Sequence, residues 1–195
     1  HQEPFEAALF RGLKVYCDKP IAHTREAALS MFDAWNKAGR RDVILGFTRR
    51  YESAWRRARH IVERGDIGGV KLLLIRAVIP FSTYFHRWHS DSNLSGGLLN
   101  EKSSHHFDVL QWFADSRVAS VSGMGGRNVF LPWKDHPGFC HRCDLDCEYR
   151  SDIIARSPDQ ILSKFASTID SEDILYSDDR CVFDPAIDIM DHALV

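Results

Sequence analysis

Residues 3–47, EPFEAALFRGLKVYCDKPIAHTREAALSMFDAWNKAGRRDVILGF, carry the pattern on which the fold turns. Phe5, Ala8 and Leu9 share one face of a helix over 3–11, and Gly12 stands where such a helix stops. LKVYC (13–17) is a short apolar run with β-branched and aromatic members. It predicts a buried strand, ended by Asp18-Lys19-Pro20. Thr24 can cap a helix whose apolar positions Ala27, Met31, Trp35 and Ala38 recur every three or four residues, with Gly39 closing it. DVILGF (42–47) predicts a second buried strand. Helix, strand, helix, strand in this order predicts a parallel α/β layer.

Downstream, SAWRRARHIVERG (53–65) predicts a helix with Trp55, Ala58, Ile61 and Val62 inward, ended by Gly65. VKLLLIRAVIP (70–80) predicts a long strand, 81–95 a polar and aromatic loop, and RVASVSGMGG (117–126) a strand with a glycine-rich turn. Residues 132–185 predict only short strands and loops.

The totals narrow the classes. A chain of 195 residues with 44% hydrophobic residues can bury a core, and a net charge of −2 leaves no electrostatic footprint for nucleic acid. No apolar run approaches the ~18 residues of a membrane span. Five unevenly spread cysteines argue against a disulfide framework and for a reducing cytoplasm. The chain opens at His1 directly in helical sequence and closes at Val195 in mid-pattern, so a piece of a longer protein is expected.

GGLLNEKSSHHFDVLQWF (96–113) predicts one helix. Its Glu101, His105, Asp108 and Trp112, spaced four, three and four, fall on one stripe. A carboxylate one turn from a histidine can orient the ring and raise its pKa, making a general acid or base near neutral pH. The same pair can also be a surface contact that only stabilises the helix. A metal site drawing on His86 and His89 (HRWH) with Glu101, His105 and Asp108 is a further alternative. Lys19 lies beyond the carboxyl end of a parallel strand, where open α/β sheets bind ligands, and a lysine there can hydrogen-bond a substrate hydroxyl.

Taken together, four stretches resemble the Gfo/Idh/MocA family of NAD(P)-dependent oxidoreductases. HQEPFEAALFRGLKVYCDKPIA is similar to the family's helix–strand segment ending in Glu-Lys-Pro. DVILGFTRRY is similar to its next strand, ending Gly-Phe-Asn-x-Arg-Tyr/Phe. ERGDIGGV resembles its turn into the second domain, and SGGLLNEKSSHHFDVLQW resembles its Gly-Gly-x-x-x-Asp-x-x-x-His-x-x-Asp helix. The likeness covers roughly residues 1–125. It implies an α/β fold: the C-terminal part of a Rossmann domain over 1–52, then an α+β domain with a large, mostly antiparallel sheet over 53–195. That sheet is often the family's oligomer interface, so a homo-oligomer is expected.

By position the resemblance makes Lys19 the lysine that contacts nicotinamide ribose and substrate hydroxyl, His105 the acid/base, and Glu101 the catalytic carboxylate before it. Asp18, Lys19, Pro20, Arg50 and Tyr51 line the nicotinamide end of an NAD or NADP site. The implied reaction is hydride transfer between nicotinamide and a secondary alcohol of a sugar, inositol or related polyol. Asp18 stands for the usual Glu, Glu101 for the usual Asp and Thr48 for the usual Asn. The G-x-G-x-x-G fingerprint is absent from the 195 residues, and GMGG (123–126) has the wrong spacing. A dinucleotide-binding sensor without turnover, or an inactive fragment, is the alternative. FCHRCDLDC (139–147) clusters Cys140, Cys143 and Cys147, with Cys181 later. A metal, with Cys181 or a histidine as fourth ligand, and free thiols both remain open.

Overall fold

The computed structural model describes residues 1–150 and 179–195. Chain contacts group them into two compact units. The first comprises His1–Ala77 with Leu99–Val121, and the second Val78–Leu98 with Ser122–Val195.

The first unit opens with α1 (Gln2–Phe10), β1 (Val15–Asp18), α2 (Arg25–Lys37) and β2 (Val43–Gly46). The strands pair in parallel, Val15 opposite Val43 through Asp18 opposite Gly46, as expected for the layer, but they are not the buried strands expected: one face is open, with Tyr16 65% and Ile44 53% exposed. Thr24 caps α2 by accepting the Ala27 N–H on its Oγ1 at 3.1 Å. A short 3-10 turn (Thr48–Arg50) follows β2 and leads to α3 (Ser53–Glu63).

All three helices end at the expected glycines, by one device. Gly12, Gly39 and Gly65 take left-handed φ of 76°, 78° and 75°. In each case the glycine N–H and the one after it return to the last turn: Gly12 to Leu9 and Leu13 to Ala8, Gly39 to Asn36 and Arg40 to Trp35, Gly65 to Val62 and Asp66 to Ile61. This double return satisfies carbonyls that a helix end otherwise leaves orphaned.

The core of this unit gathers Phe5, Leu9, Cys17, Ala22, Ala27, Met31 and Ala34, with Val15, Val43 and Leu45 against it. Trp55, Ala58, Ile61 and Val62 of α3 are half-buried rather than buried, so that helix packs along one side only.

Where a loop was expected over 81–95, the second unit has three short helical pieces, α4 (Phe81–Tyr84), a 3-10 turn (Arg87–Ser90) and α5 (Ser92–Ser95). Its core is rich in aromatics: Tyr84, Phe85 and Phe130 with Val182, Ile187 and Ile189. Arg127 threads it, donating to the carbonyls of Val182, Asp184 and Ile187. The Asp191 carboxylate collects the N–H groups of Asn128, Val129 and Phe130.

Three further expectations need correction. The helix predicted over 96–113 is two, α6 (Gly97–Glu101) and α7 (Ser104–Ala114), separated by a turn at Lys102 and Ser103. Residues 70–80 form no strand; the stretch runs without a ladder partner among the described residues, and Leu72, Leu74 and Val78 are 85%, 85% and 80% exposed. Of 117–126, only Met124–Gly126 (β3) is a strand, pairing antiparallel with His192–Leu194 (β4). Of the large sheet that the resemblance implies, this antiparallel pair is the part found among the described residues. None of their helices is long and apolar enough to cross a membrane.

Candidate functional site

The site grows from the carboxyl ends of the two parallel strands, all within the first unit. β1 ends at Asp18 opposite Gly46 of β2, and this pairing needs glycine. A Cβ at position 46 would lie 2.8 Å from both Asp18 Oδ1 and the Tyr16 hydroxyl. Asp18 turns its carboxylate back to accept its neighbour's N–H, that of Lys19, at 2.8 Å. The chain then leaves the strand through a cis Lys19–Pro20 peptide.

Lys19 points its ammonium at the end of α6. It donates to Glu101 Oε1 at 2.5 Å and to the Glu101 main-chain carbonyl at 2.8 Å. That carbonyl is one of those a short helix leaves without an internal partner, so the break between α6 and α7 creates half of the lysine's binding site. Only 15% of the Lys19 side chain and 10% of the Glu101 side chain remain exposed. Asn100 secures the same end, donating to the Ala22 carbonyl at 2.9 Å.

α7 carries His105 and Asp108 one turn apart. Asp108 is taken by Arg50, whose Nε and Nη2 each approach a carboxylate oxygen at 2.8 Å, and the guanidinium also covers the Trp112 ring at 5.3 Å. This fork holds Arg50 protonated, its pKa raised chiefly by the hydrogen bonds to Asp108.

His105 sits edge-on to Phe47, ring centres 6.2 Å apart. Its Nδ1 is buried without a hydrogen-bond partner among the described residues. Burial first, then the charges of Lys19, Arg49 and Lys102, push the imidazole below its ordinary 6.5, and Glu101 opposes them weakly. The expected raised histidine is therefore overturned, and the reason is geometric: Glu101 has spent its charge on Lys19. His106, also buried, is lowered by its burial and by Arg49 and Lys102. At neutral pH His105 is an uncharged imidazole able to take a proton.

Lys19 and Glu101 are thus joined, and both charges act on His105. Asp18 and Pro20 adjoin Lys19 along the chain. Arg50 is near but engaged by Asp108, and Tyr51 is 63% exposed beside it. Sequence reading missed Arg49 and Lys102. Arg49 lies over the Trp55 ring at 5.2 Å, and Lys102 has its pKa lowered by burial and by Arg49 and Lys19. With Lys19 they make a cationic surround for which one carboxylate, Glu101, compensates. The signal lay in the doubled arginine just past β2 and in the lysine next to Glu101.

The HRWH pair is packed against aromatics. His86 stands 6.1 Å from the Phe81 ring, and His89 stacks on Trp88 at 3.9 Å. Among the described residues no group of three or more His, Cys, Asp or Glu side chains already stands at metal-binding spacing.

The sequence model of the GFO/IDH/MocA C-terminal domain matches residues 55–168. YteT of Bacillus subtilis (strain 168), provisionally assigned as an oxidoreductase, is 29% identical over 192 residues, 91% of this chain and 45% of its own. Inositol 2-dehydrogenase of Klebsiella pneumoniae (strain ATCC 700721 / MGH 78578) is 32% identical over 121 residues, 62% of this chain and 34% of its own. Among solved structures, scyllo-inositol dehydrogenase of Lactobacillus casei with bound NAD(H) and scyllo-inositol superimposes with a TM-score of 0.52 and 28% identity, covering 66% of this chain and 38% of that one. The matches thus span less than half the length of these relatives.

Proposed function

The chain belongs to the GFO/IDH/MocA family, and on that premise we propose that it forms part of an NAD(P)-dependent oxidoreductase acting on a secondary alcohol of inositol, a sugar or a related polyol. Residues 1–52 would complete the dinucleotide-binding domain and 53–195 the substrate domain, which also forms the homo-oligomer. The observation that carries the reading is the Lys19 ammonium, fixed on Glu101 at the carboxyl ends of two parallel strands, with its charge acting on a neutral His105 whose buried Nδ1 has no partner among the described residues. An unsatisfied buried nitrogen beside a fixed cation suits a hydroxyl that gives up its proton as its carbon loses hydride.

In this reading His105 accepts the hydroxyl proton. Lys19, held by Glu101, faces the oxygen on which negative charge develops. Asp18, Lys19, Pro20, Arg50 and Tyr51 hold the nicotinamide end of the cofactor, and these residues fit the group because they cluster where an open α/β sheet receives ligands. When bound, NAD or NADP supplies the hydride acceptor. Glu101 and Asn100 position Lys19 and the loop after β1, and burial, with the charges of Lys19, Arg49 and Lys102, keeps His105 uncharged.

The test is a fluorescence titration of this chain with NADH and NADPH, read through its tryptophans, followed by a polyol panel assayed for nicotinamide reduction. Saturable binding with turnover that vanishes in Lys19→Arg and His105→Asn supports the reading. Binding without turnover on any polyol would favour a dinucleotide-binding relative, and no binding by folded protein would refute the proposal for this chain.

A further inference from the structure

Four of the five cysteines, Cys140, Cys143, Cys147 and Cys181, line a single cavity of about 520 Å3 in the second unit, whereas Cys17 belongs to the core of the first. The backbone explains their meeting. Phe139 and Arg180 form an antiparallel bridge, flanked by Cys140 N–H to Asp179 C=O at 2.8 Å and Cys181 N–H to Gly138 C=O at 2.9 Å. Side chains alternate across such a bridge, so Cys140 and Cys181 emerge on the same face as diagonal neighbours.

Cys143 follows in a 3-10 turn over Cys140–Arg142, its N–H donating to the Cys140 carbonyl at 3.1 Å. Three residues per turn bring positions i and i+3 to the same side, so Cys143 stands over Cys140. Arg150 draws in the last arm: its N–H bonds the Cys147 carbonyl at 3.0 Å and its guanidinium bonds the Cys143 carbonyl. The C-x2-C-x3-C spacing has the close repeats of thiolate metal sites, and the distant fourth cysteine is delivered by the fold.

Cys140 and Cys181 are buried thiols. Buried thiols of this kind are inert unless a cation takes the charge of their thiolates. A soft divalent cation does so, each ligating thiol releasing its proton to solvent.

We propose that Cys140, Cys143, Cys147 and Cys181 bind one structural Zn2+ in an all-sulfur tetrahedral shell. Four protein ligands leave no open position for catalysis, so the ion staples the 137–150 stretch to residues 179–184 and shapes this wall of the second unit. As they stand among the described residues the sulfurs are not at ligand spacing, so binding must draw them together. Cys143 and Cys147, the two half-buried members, lie outside helix and strand.

The experiment is elemental analysis of the chain purified under reducing conditions, with Co2+ substitution as a second readout. About one zinc per chain is expected. Zinc should be lost in Cys143→Ser and in Cys181→Ser but kept in Cys17→Ser, and Co2+ should give the intense sulfur-to-cobalt charge-transfer bands of a tetrahedral thiolate site. The Co2+ spectrum uses the unaltered chain, so a serine variant that fails to fold leaves the test intact. Folded protein with no stoichiometric zinc and no thiolate–cobalt bands would overturn the proposal. So would iron accompanied by acid-labile sulfide, or a disulfide between any two of the four.

Discussion

The Lys19 ammonium reaches both the carboxylate and the main-chain carbonyl of Glu101, and the two side chains are largely withdrawn from water. Breaking such a pair from one side strands a charge where water cannot screen it, at a cost of about 3–5 kcal/mol. Glu101→Ala should therefore lower stability by about 3 kcal/mol in urea denaturation, while Glu101→Asp, which keeps the charge, should recover much of it. A loss under about 1 kcal/mol would show the contact to be screened like a surface pair. Lys19→Ala strands Glu101 in turn, so its effect on turnover has to be read beside its effect on stability.

Protonation of the two histidines follows from the same electrostatics. Both His105 and His106 are lowered from 6.5 in the folded chain, first by burial. A lowered imidazole is neutral when folded, so its contribution is complete above 6.5. It is lost as pH falls through 6.5 toward the folded values, because the unfolded chain takes up protons first. Melting temperature should drop as pH falls below 6.5, and the drop should shrink in His105→Asn/His106→Asn. A melting temperature flat across that window would contradict the lowering. In turnover, the acid limb of kcat/KM should have its midpoint below 6.5.

At the scale of elements, capping explains what was legible. Thr24, Gly12, Gly39 and Gly65 announce helix ends by local chemistry, and each does so in the structure. Thr24→Ala removes the acceptor of the Ala27 N–H and should cost about 1 kcal/mol, with Thr24→Ser close to the parent, as read by thermal or urea unfolding. An Ala variant as stable as the parent would show that water replaces the cap.

The parallel strands were legible for the same local reason, a short apolar run ended by polar residues. The break between α6 and α7 was not. GGLLNEKSSHHFDVLQWF keeps helical periodicity straight through Lys102 and Ser103, and the partner that makes a break useful, Lys19, lies 82 residues away. Glu101 and His105 could be picked out by spacing, and Lys19 by its place beyond a strand's carboxyl end. That Glu101 would serve the lysine rather than the histidine depends on a tertiary contact that spacing does not encode. Cys181 could be offered only as one option for joining the cysteine cluster, since the gathering rests on one bridge between Phe139 and Arg180.

At the scale of the whole molecule, the most exposed large apolar side chains among the described residues, Leu72, Leu74 and Val78, lie where a long strand was expected. In VKLLLIRAVIP the alternation is intact: Leu73, Ile75 and Ile79 are half-buried, while Leu72, Leu74 and Val78 on the other side are at least 80% exposed. Val118, Val121 and Met124 add 57%, 72% and 74% exposed surface in the next expected strand. Extended backbone without ladder partners that also presents an apolar face is a template for pairing with another chain. This chain should therefore self-associate in a concentration-dependent way, and more so in sulfate, which strengthens apolar burial. Leu72→Lys/Leu74→Lys puts two charges on that face without touching either core. Sedimentation velocity should show the heavier species of the parent replaced by monomer, with the far-UV spectrum and melting temperature nearly unchanged. If the double variant associates as strongly as the parent, this face does not drive association, and the alternation of 70–80 would owe its apolar outer residues to something other than strand pairing.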